Sequence, residues 1–450
     1  MSRIIRGERV LTPEGLRRAS LHLREGRIAS VEAFDAIPAG AEVIDAGSDL
    51  VTPGVIDSHV HINEPGRTEW EGFESATAAA AAGGITTVVD MPLNCIPATT
   101  SREAAEAKLE ALHGKLCVDV AFWGGVVPGN ADALEGLAEF GVPGCKCFTC
   151  PSGVDEFPHV RREDLELALP RLRDLGLTLL VHAEAPGPLE RAEVEASSGD
   201  PRDYATYLRS RPHQAEDEAI AMVIELCRKH RARAHIVHLS SADALPMLKA
   251  AQQAGVQISA ETCLHYLTFT AEEIAAGATH FKCAPPIRER ENRERLWAGL
   301  LEGTIGMVIS DHSPCTPALK KPEQGDFMSA WGGISSLQLG LSALWTLARE
   351  RGIPLEQVLR WNIEGPARLA GLAGRKGKLA DGFDADVIIW NEDEAFAVEP
   401  GSIRHRHKVT PYAGRTLFGR VKKTFVGGEL AYDAQSGQAR AVGRFVPVRR

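Results

Sequence analysis

The stretch VTPGVIDSHVHINEPG, residues 51–66, begins as an apolar, β-branched run and then carries two histidines spaced two residues apart. Alternate residues of a β-strand point to the same face, so His59 and His61 are expected to face the same side. Short apolar runs of this kind recur along the chain, with helical segments between them. The eight predicted strands are VTPGVIDSHV, ITTVVDM, VDVAFW, GCKCF, LTLLVHA, AHIVHLS, VQISAE and GMVISD.

Strands that alternate with helices are typical of a parallel α/β unit, and eight such units predict a closed (β/α)8 TIM barrel. We assign residues 51–370 to this catalytic barrel. The two ends of the chain, residues 1–50 and 371–450, contain short β-like pieces separated by turn residues. If these ends pack together, they form a small β-sandwich domain into which the barrel is inserted.

The first barrel helix has a recognisable sequence pattern at both ends. Thr68 is followed by Glu71 at the spacing of a capping box, which predicts the helix start. The segment FESATAAAAA then forms the helix, and Gly83 and Gly84 close it. We therefore expect the alanine run to pack on the barrel rather than to span a membrane.

Composition excludes several classes of function. The 450 residues are 44% hydrophobic and carry a formal net charge of −10, without a basic run of the kind that binds nucleic acid or an anionic membrane. The nine cysteines include several in apolar runs, which favours reduced thiols over a disulfide framework. The amino terminus lacks an apolar signal core, and no apolar run is long enough to span a bilayer. We expect a cytoplasmic protein with no nucleic-acid or membrane partner.

Polar residues close the apolar runs where a barrel places its active site. His182 ends LTLLVH, His238 ends AHIVH and Asp311 ends GMVISD. Histidine nitrogens and carboxylate oxygens are ligands of divalent metals, and the carboxyl ends of barrel strands meet on one face. Together with His59 and His61, these residues predict a metal site.

Three features near these residues, two histidines and one cysteine pair, are interpreted as structural or remain ambiguous. His235 lies three residues before His238, so it is expected on the opposite strand face and deeper in the barrel. His312 follows Asp311 directly, and adjacent strand residues cannot both face a metal, so we assign the ligand to Asp311. Cys147 and Cys150 form a CxxC pair, but no second pair exists in the sequence and packing is favoured.

Lys146 lies between Cys145 and Cys147 in GCKCF and faces the cavity if the cysteines face outward. Four histidines and one aspartate are few donors for two divalent ions, and a protonated lysine would repel them. A neutral lysine amine can add carbon dioxide and become an anionic, bidentate carbamate. The alternative is a buried lysine paired with a distant carboxylate, and strand geometry leaves both explanations open.

These residues resemble the cyclic amidohydrolases of the metal-dependent amidohydrolase superfamily, which include dihydroorotase, hydantoinase (dihydropyrimidinase) and allantoinase. The resemblance is carried by TPGVIDSHVHINEPG, GCKCF, LLVHAE, HIVHLSS, KCAPPIR, ISDHSPC and HKVTPYAGR. It implies two metals, commonly zinc, and a homo-oligomer, usually a tetramer or dimer. The implied metal ligands are His59, His61, Lys146 as N6-carboxylysine, His182, His238 and Asp311.

Smaller features bear on the substrate. Dihydroorotases that resemble this chain usually carry an arginine in HxHLREPG to hold the substrate carboxylate, whereas this chain has Asn63 there. MPLN at 91–94, SDHSPC at 310–315 and WGGI at 331–334 look like the allantoinase branch, and EPGR at 64–67 departs from hydantoinases. The expected substrate is allantoin, a neutral hydantoin ring with a ureido tail, which opens to allantoate. Hydantoinase or dihydroorotase activity is the alternative, and a non-enzymatic scaffold of the same fold is a further one.

The expected mechanism is attack by a metal-bridging hydroxide on the ring carbonyl. Asp311 would accept the proton and return it to the leaving ring nitrogen. By family position, the residues expected to hold the ring are Asn94, Ala284, Ser313 and Gly333.

Overall fold

The computed structural model describes residues 3–448. The chain begins with a group of strands that form one edge of a sheet. They are β1 (Arg3–Thr12), β2 (Gly15–Arg24), β3 (Arg27–Glu32), β4 (Glu42–Asp45) and β5 (Leu50–Pro53). β1, β2 and β3 pair antiparallel in succession, and the β2–β3 turn contains Glu25 and Gly26, both with positive φ. β4 and β5 each pair parallel to β1.

The middle of the chain contains the barrel strands, all paired in parallel. They are β6 (Val55–Val60), β7 (Ile85–Asp90), β8 (Asp119–Phe122), β9 (Gly124–Gly125), β10 (Gly144–Phe148), β11 (Thr178–His182), β12 (Arg233–Ile236), β13 (Ile258–Cys263) and β14 (Met307–Ile309). β6 to β8 pair in order, as do β9 to β14. Only Trp123 separates β8 from β9, and a bridge between Val60 and His312 joins the first strand to the last. The predicted eight-stranded barrel is therefore confirmed.

The helices that follow the barrel strands cover the outside of the barrel. They are α1 (Phe73–Ala82), α2 (Arg102–Ala111), α3 (Leu134–Phe140), α4 (Arg162–Asp174), α5 (Pro186–Ala196), α6 (Tyr204–Ser210), α7 (His213–His230), α8 (Leu245–Gln253), α9 (Leu264–Thr268), α10 (Arg290–Leu301), α11 (Gly340–Glu350), α12 (Leu355–Leu359) and α13 (Gly365–Leu369). Within residues 3–448, none of these helices has the length and apolarity that a bilayer crossing requires.

The carboxyl-terminal strands complete the sheet that the amino-terminal strands begin. They are β15 (Val387–Ala397), β16 (Thr416–Val426), β17 (Glu429–Asp433) and β18 (Gln438–Ala439). β15 pairs antiparallel with β5, so both ends of the chain join in one nine-stranded sheet. The prediction that the two ends form one small β unit is confirmed. The chain leaves this sheet at Pro53 and enters the barrel at Val55.

The start of α1 differs from the predicted capping box. The helix begins at Phe73 rather than directly after Thr68, and Gly72 at its N-cap position has no side chain to cap it. Residues 67–70 instead form a turn in which Trp70 N donates to Arg67 O at 2.9 Å. The Phe73 N–H donates to Glu64 Oε2 at 2.8 Å, so a carboxylate nine residues upstream replaces the predicted cap.

β10 shows how the strand period sets up the site. Cys145 and Cys147 belong to the apolar core that the barrel strands share with the surrounding helices. Successive strand residues point to opposite faces, so Lys146 is left on the inner side and lines the cavity at the mouth of the barrel.

Candidate metal centre

A cavity of about 330 Å³ opens at the carboxyl ends of the barrel strands. Five of the six predicted metal ligands line its wall, and His59 lies directly behind it with no exposed surface. The five are His61, Lys146, His182, His238 and Asp311. The structure thus brings together residues that are spread over 253 positions of the chain, from His59 to Asp311.

His59, His61 and Asp311 form one side of the centre, and their donor atoms lie within 4.8 Å of one another. Asp311 Oδ1 is 3.4 Å from His59 Nε2 and 3.6 Å from His61 Nε2. Asp311 has a φ of 42°, a left-handed conformation that is costly for a residue other than glycine. This turn of the backbone accompanies an aspartate that faces both histidines.

His182 and His238 form the other side. Their Nδ1 and Nε2 atoms, respectively, lie 3.0 Å apart. His238 also has a left-handed backbone, with a φ of 37°. Among the described residues, its buried Nδ1 has no hydrogen-bond partner. The two rings therefore direct nitrogen atoms toward each other, an arrangement that suits a shared cation.

Lys146 lies between the two sides. Its Nζ is 3.1 Å from His59 Nε2, and the residue is only 1% exposed. Burial lowers the pKa of Lys146 to about 8, so the neutral amine is readily accessible near neutral pH. Within residues 3–448, no carboxylate lies within the 4.0 Å of a salt bridge to this nitrogen. The distant-carboxylate alternative thus lacks a direct ion-pair partner here.

The protonation of the site suits metal binding. Burial, reinforced by neighbouring positive charge, lowers the pKa of His59, His61 and His238 well below the ordinary value. Neutral imidazole offers the lone pair that a metal requires. Burial raises the pKa of Asp311 to about 6, while Ser313 Oγ donates to its Oδ1 at 2.6 Å and stabilises the carboxylate. Neutral histidines around a carboxylate fit a divalent metal.

Glu261 orients His59 and was not predicted from the sequence. His59 Nδ1 bonds to Glu261 Oε1 at 2.6 Å, which leaves Nε2 for the centre. The other carboxylate oxygen bonds to His235 Nε2 at 3.0 Å. His235 was expected on the strand face opposite to His238, and this was wrong, because its side chain contacts Glu261, the same carboxylate that contacts His59. β12 ends at Ile236 and His238 has a positive φ, so strand alternation does not extend to it.

Glu184 plays the same part for His182. Its Oε2 bonds to His182 Nε2 at 2.6 Å, and Arg211 donates to both of its oxygens. Burial opposes ionisation of Glu184, but Arg211 and His182 hold its pKa below the ordinary value. Glu184 and Glu261 each follow a buried apolar run in the sequence. A buried, unpaired carboxylate would destabilise the fold, so this position could have predicted a polar partner for each of them.

His312 is turned away from the centre. Its Nε2 is 3.3 Å from Glu71 Oε2, and its Nδ1 accepts the Ser336 N–H at 3.2 Å. Glu71, expected to cap the start of α1, is instead buried and contacts His312, Ser75 and Arg406. This geometry leaves Asp311, rather than its neighbour, at the centre.

All four residues predicted to hold the substrate ring line the cavity: Asn94, Ala284, Ser313 and Gly333. Asn94 Nδ2 lies 3.5 Å from His61 Nδ1. Gly333 has a φ of 147°, and a Cβ there would lie 2.2 Å from Ser313 O, so only glycine fits.

Asn63, at the position where an arginine would hold a carboxylate, does not belong to the cavity wall. It is 1% exposed, and its Nδ2 donates to Pro314 O at 3.3 Å. Two cationic side chains that sequence reasoning missed, Arg211 and Lys282, do line the cavity. Lys282 Nζ donates to the carbonyls of Met328 and Ala330 at 3.0 and 2.6 Å.

Comparison with known proteins identifies the family. The Amidohydrolase family matches residues 50–431. An allantoinase of Streptomyces avermitilis is 50% identical over 95% of this chain and 94% of its own, and an allantoinase of Arabidopsis thaliana is 44% identical over 98% of this chain and 90% of its own. The solved L-hydantoinase (dihydropyrimidinase) of Arthrobacter aurescens superposes with a TM-score of 0.92 at 30% identity, covering 99% of both chains. The chain therefore belongs to the amidohydrolase family, within which it groups with the allantoinases.

Proposed function

We propose that this chain hydrolyses the cyclic amide bond of allantoin and releases allantoate. The observation that carries the proposal is the convergence of four neutral histidines, one aspartate and one lysine on a single cavity at the mouth of the barrel. The allantoinases to which the chain is similar extend over nearly its full length.

We propose that His59, His61, Lys146, His182, His238 and Asp311 hold two divalent ions, with zinc as the expected metal. The donor set fits, because the imidazoles are buried and neutral and the one carboxylate faces two of them. When bound, two such ions supply an acidified water and a polarised carbonyl.

We propose that Lys146 is carboxylated. Its neutral amine would form a bond to the carbon of carbon dioxide and release one proton, which converts an uncharged amine into an anionic, two-oxygen ligand. Support comes from its burial, its lowered pKa and the 3.1 Å distance to His59 Nε2.

Asp311 is the proposed general base and acid. It lies on the cavity wall next to His59 and His61, so it can accept a proton from the attacking water. It would then deliver this proton to the ring nitrogen as the C–N bond breaks. Ser313 holds the carboxylate through a 2.6 Å hydrogen bond and thereby fixes its orientation.

Four residues are proposed to position the ring. Asn94 and Ser313 offer side-chain hydrogen-bonding groups at the cavity wall, and Ala284 and Gly333 offer backbone groups. Glycine at position 333 lets this segment pack directly against the backbone of Ser313, because a Cβ there would lie 2.2 Å from Ser313 O.

Hydantoins are the second candidate substrates, because the solved L-hydantoinase superposes over nearly the whole chain. Dihydroorotate is expected to be a poor substrate, since Asn63 is off the wall and Arg211 already binds a carboxylate. The test is to measure kcat/KM of the zinc-loaded protein for allantoin, dihydroorotate and a 5-substituted hydantoin. Allantoin should be preferred, and a comparable value for dihydroorotate would contradict the proposal.

Further properties remain predictions. We propose a cytoplasmic homo-oligomer, a tetramer or dimer, and the nine buried, free cysteines are compatible with a reducing compartment. We also propose that residues 1–50 and 371–450 form one domain and residues 51–370 the catalytic domain.

A further inference from the structure

One wall of the cavity carries an arginine whose charge is already matched. Arg211 follows α6 and lines the cavity with its side chain 22% exposed. Its Nε donates to Glu184 Oε1 at 3.0 Å, and its Nη2 donates to Glu184 Oε2. Glu184 has no exposed surface. The guanidinium and carboxylate therefore form a bidentate pair with no net charge.

The pair keeps hydrogen-bonding capacity on its guanidinium side. Guanidinium has five N–H groups; the Glu184 carboxylate takes two of them and the Cys150 thiol lies within hydrogen-bonding reach of a third, so up to two remain to be donated. The edge formed by Nε and Nη2, which would otherwise grip a carboxylate in two-point fashion, is already in use. A neutral carbonyl oxygen can accept a remaining N–H without requiring an unmatched positive charge.

An anionic group would meet a different environment. The carboxylates of Glu184 and Asp311 are close to this wall, and the exposed Glu193 also lines the cavity. Lys282, the other cation on the wall, has its Nζ engaged with two backbone carbonyls. A carboxylate that entered here would lose its hydration, and it could approach Lys282 only in competition with the two carbonyl oxygens that this amine already contacts.

We propose that the Arg211–Glu184 pair is a charge-neutral donor site that binds the carbonyl oxygen of an uncharged urea or amide side chain on the substrate ring and rejects an anionic side chain of the same size. This assignment rests on the proposed function, because it places the ureido tail of allantoin. The pair also links this proposed site for the ureido tail to the proposed metal centre, because Glu184 contacts Nε2 of His182.

Two matched probes test the proposal. Hydantoin-5-acetamide and hydantoin-5-acetic acid have the same ring and nearly the same shape, but only the acid is negatively charged. With the zinc-loaded protein, kcat/KM for the amide should exceed that for the acid by about 10- to 100-fold, the range expected for a charge-assisted hydrogen bond. Turnover of allantoin is measured alongside them.

Three variants separate the pair from general electrostatics. Arg211→Met should lower kcat/KM for the amide by about tenfold or more, mainly through KM, without helping the acid. Glu184→Gln should leave the guanidinium charge without a carboxylate partner. The ratio of kcat/KM for the amide to kcat/KM for the acid should then fall about tenfold. Glu193→Gln removes an exposed negative charge that lines the same cavity but lies outside the pair. It should therefore narrow the amide-to-acid ratio of kcat/KM by less than about threefold.

Metal content is measured for every variant. If Glu184→Gln loses metal, the decision rests on Arg211→Met and on calorimetric titration of both probes into the parent protein. The proposal would be overturned if Arg211→Met lowered kcat/KM equally for the two probes. It would also be overturned if Glu193→Gln reduced the amide-to-acid ratio as much as Glu184→Gln does. If allantoin is hydrolysed but the acid is preferred over the amide, this inference fails while the proposed function stands. If allantoin is not hydrolysed, the proposed function fails, and the binding ratio of the two probes still decides this inference.

Discussion

Removal of the Lys376 ammonium should destabilise the fold, because this group lies among three buried carboxylates. Lys376 is 2% exposed, and its Nζ lies 2.7 Å from Asp119, 2.5 Å from Asp386 and 3.3 Å from Asp384. Asp119 begins β8 of the barrel, whereas Asp384 and Asp386 precede β15 of the terminal sheet. The lysine therefore links the two parts of the molecule.

Lys376→Met keeps most of the side-chain length but removes the cation. Arg375, 2.7 Å from Asp384, is then the nearest remaining positive partner. Removal of one partner from a buried ion pair typically costs about 3–5 kcal/mol, because the other charge stays desolvated and unpaired. We expect a loss of this size in the free energy of unfolding, measured by chemical denaturation.

The loss should depend on pH in a defined direction. In the parent protein, the nearby carboxylates outweigh the effect of burial and raise the pKa of Lys376. Its contribution to the free energy of unfolding is therefore fully present below the pKa of an unfolded lysine, about 10.4, and is lost only at higher pH. In the variant, the unpaired carboxylates gain a pKa above their unfolded values. Protonation then favours the folded state, and the variant should recover stability as the pH falls from about 8 to about 6.

Lys249→Met is the matched control. The Lys249–Glu302 pair has the same 2.7 Å separation as Lys376–Asp119, but both of its side chains are about half exposed. Its removal should cost less than about 1 kcal/mol. Equal losses for the two variants, or a loss in Lys376→Met that does not change with pH, would refute the reasoning.

Three further predictions concern the centre and α1. The parent protein should contain close to two divalent ions per chain by elemental analysis, and His59→Ala should lose both metal and activity. A metal-free, fully active protein would contradict the proposed site. Lys146→Arg should be inactive and poor in metal, and zinc-reconstituted parent protein should recover faster with bicarbonate than without carbon dioxide. Metal-replete, active Lys146→Arg would rule out the carbamate. Glu64→Ala should lower the free energy of unfolding by about 0.5–2 kcal/mol through loss of the cap on α1, whereas Thr68→Ala should lower it by less than about 0.5 kcal/mol. Equal losses would favour the predicted capping box at Thr68 over the cap by Glu64.

The barrel and the positions of the central residues followed from sequence because both depend on short-range rules. Apolar runs alternate with helices, and parallel strands bring their carboxyl ends to one face. His182, His238 and Asp311 each end such a run, so their convergence could be predicted without knowledge of strand register.

The residues that support the centre could not be found in this way. Glu261 meets His59 across 202 positions of sequence, and Glu184 meets Arg211 across 27. Such contacts depend on strand register and on how deep each side chain lies. For the same reason, position 63 alone could not settle substrate charge. Asn63 matches the family motif by order, but in three dimensions it faces Pro314 rather than the cavity.

The contacts around the centre also separate Lys146 from the histidines. His59, His61 and His182 each have a polar partner on the ring nitrogen that faces away from the proposed metals: Glu261, Asn94 and Glu184 respectively. Such partners fix the ring orientation and leave one nitrogen for a metal. Lys146 Nζ instead contacts His59 Nε2, the atom that His59 would offer to a metal. Two divalent ions held here would repel an ammonium, and the proposed conversion to a carbamate would replace that repulsion with two oxygen donors.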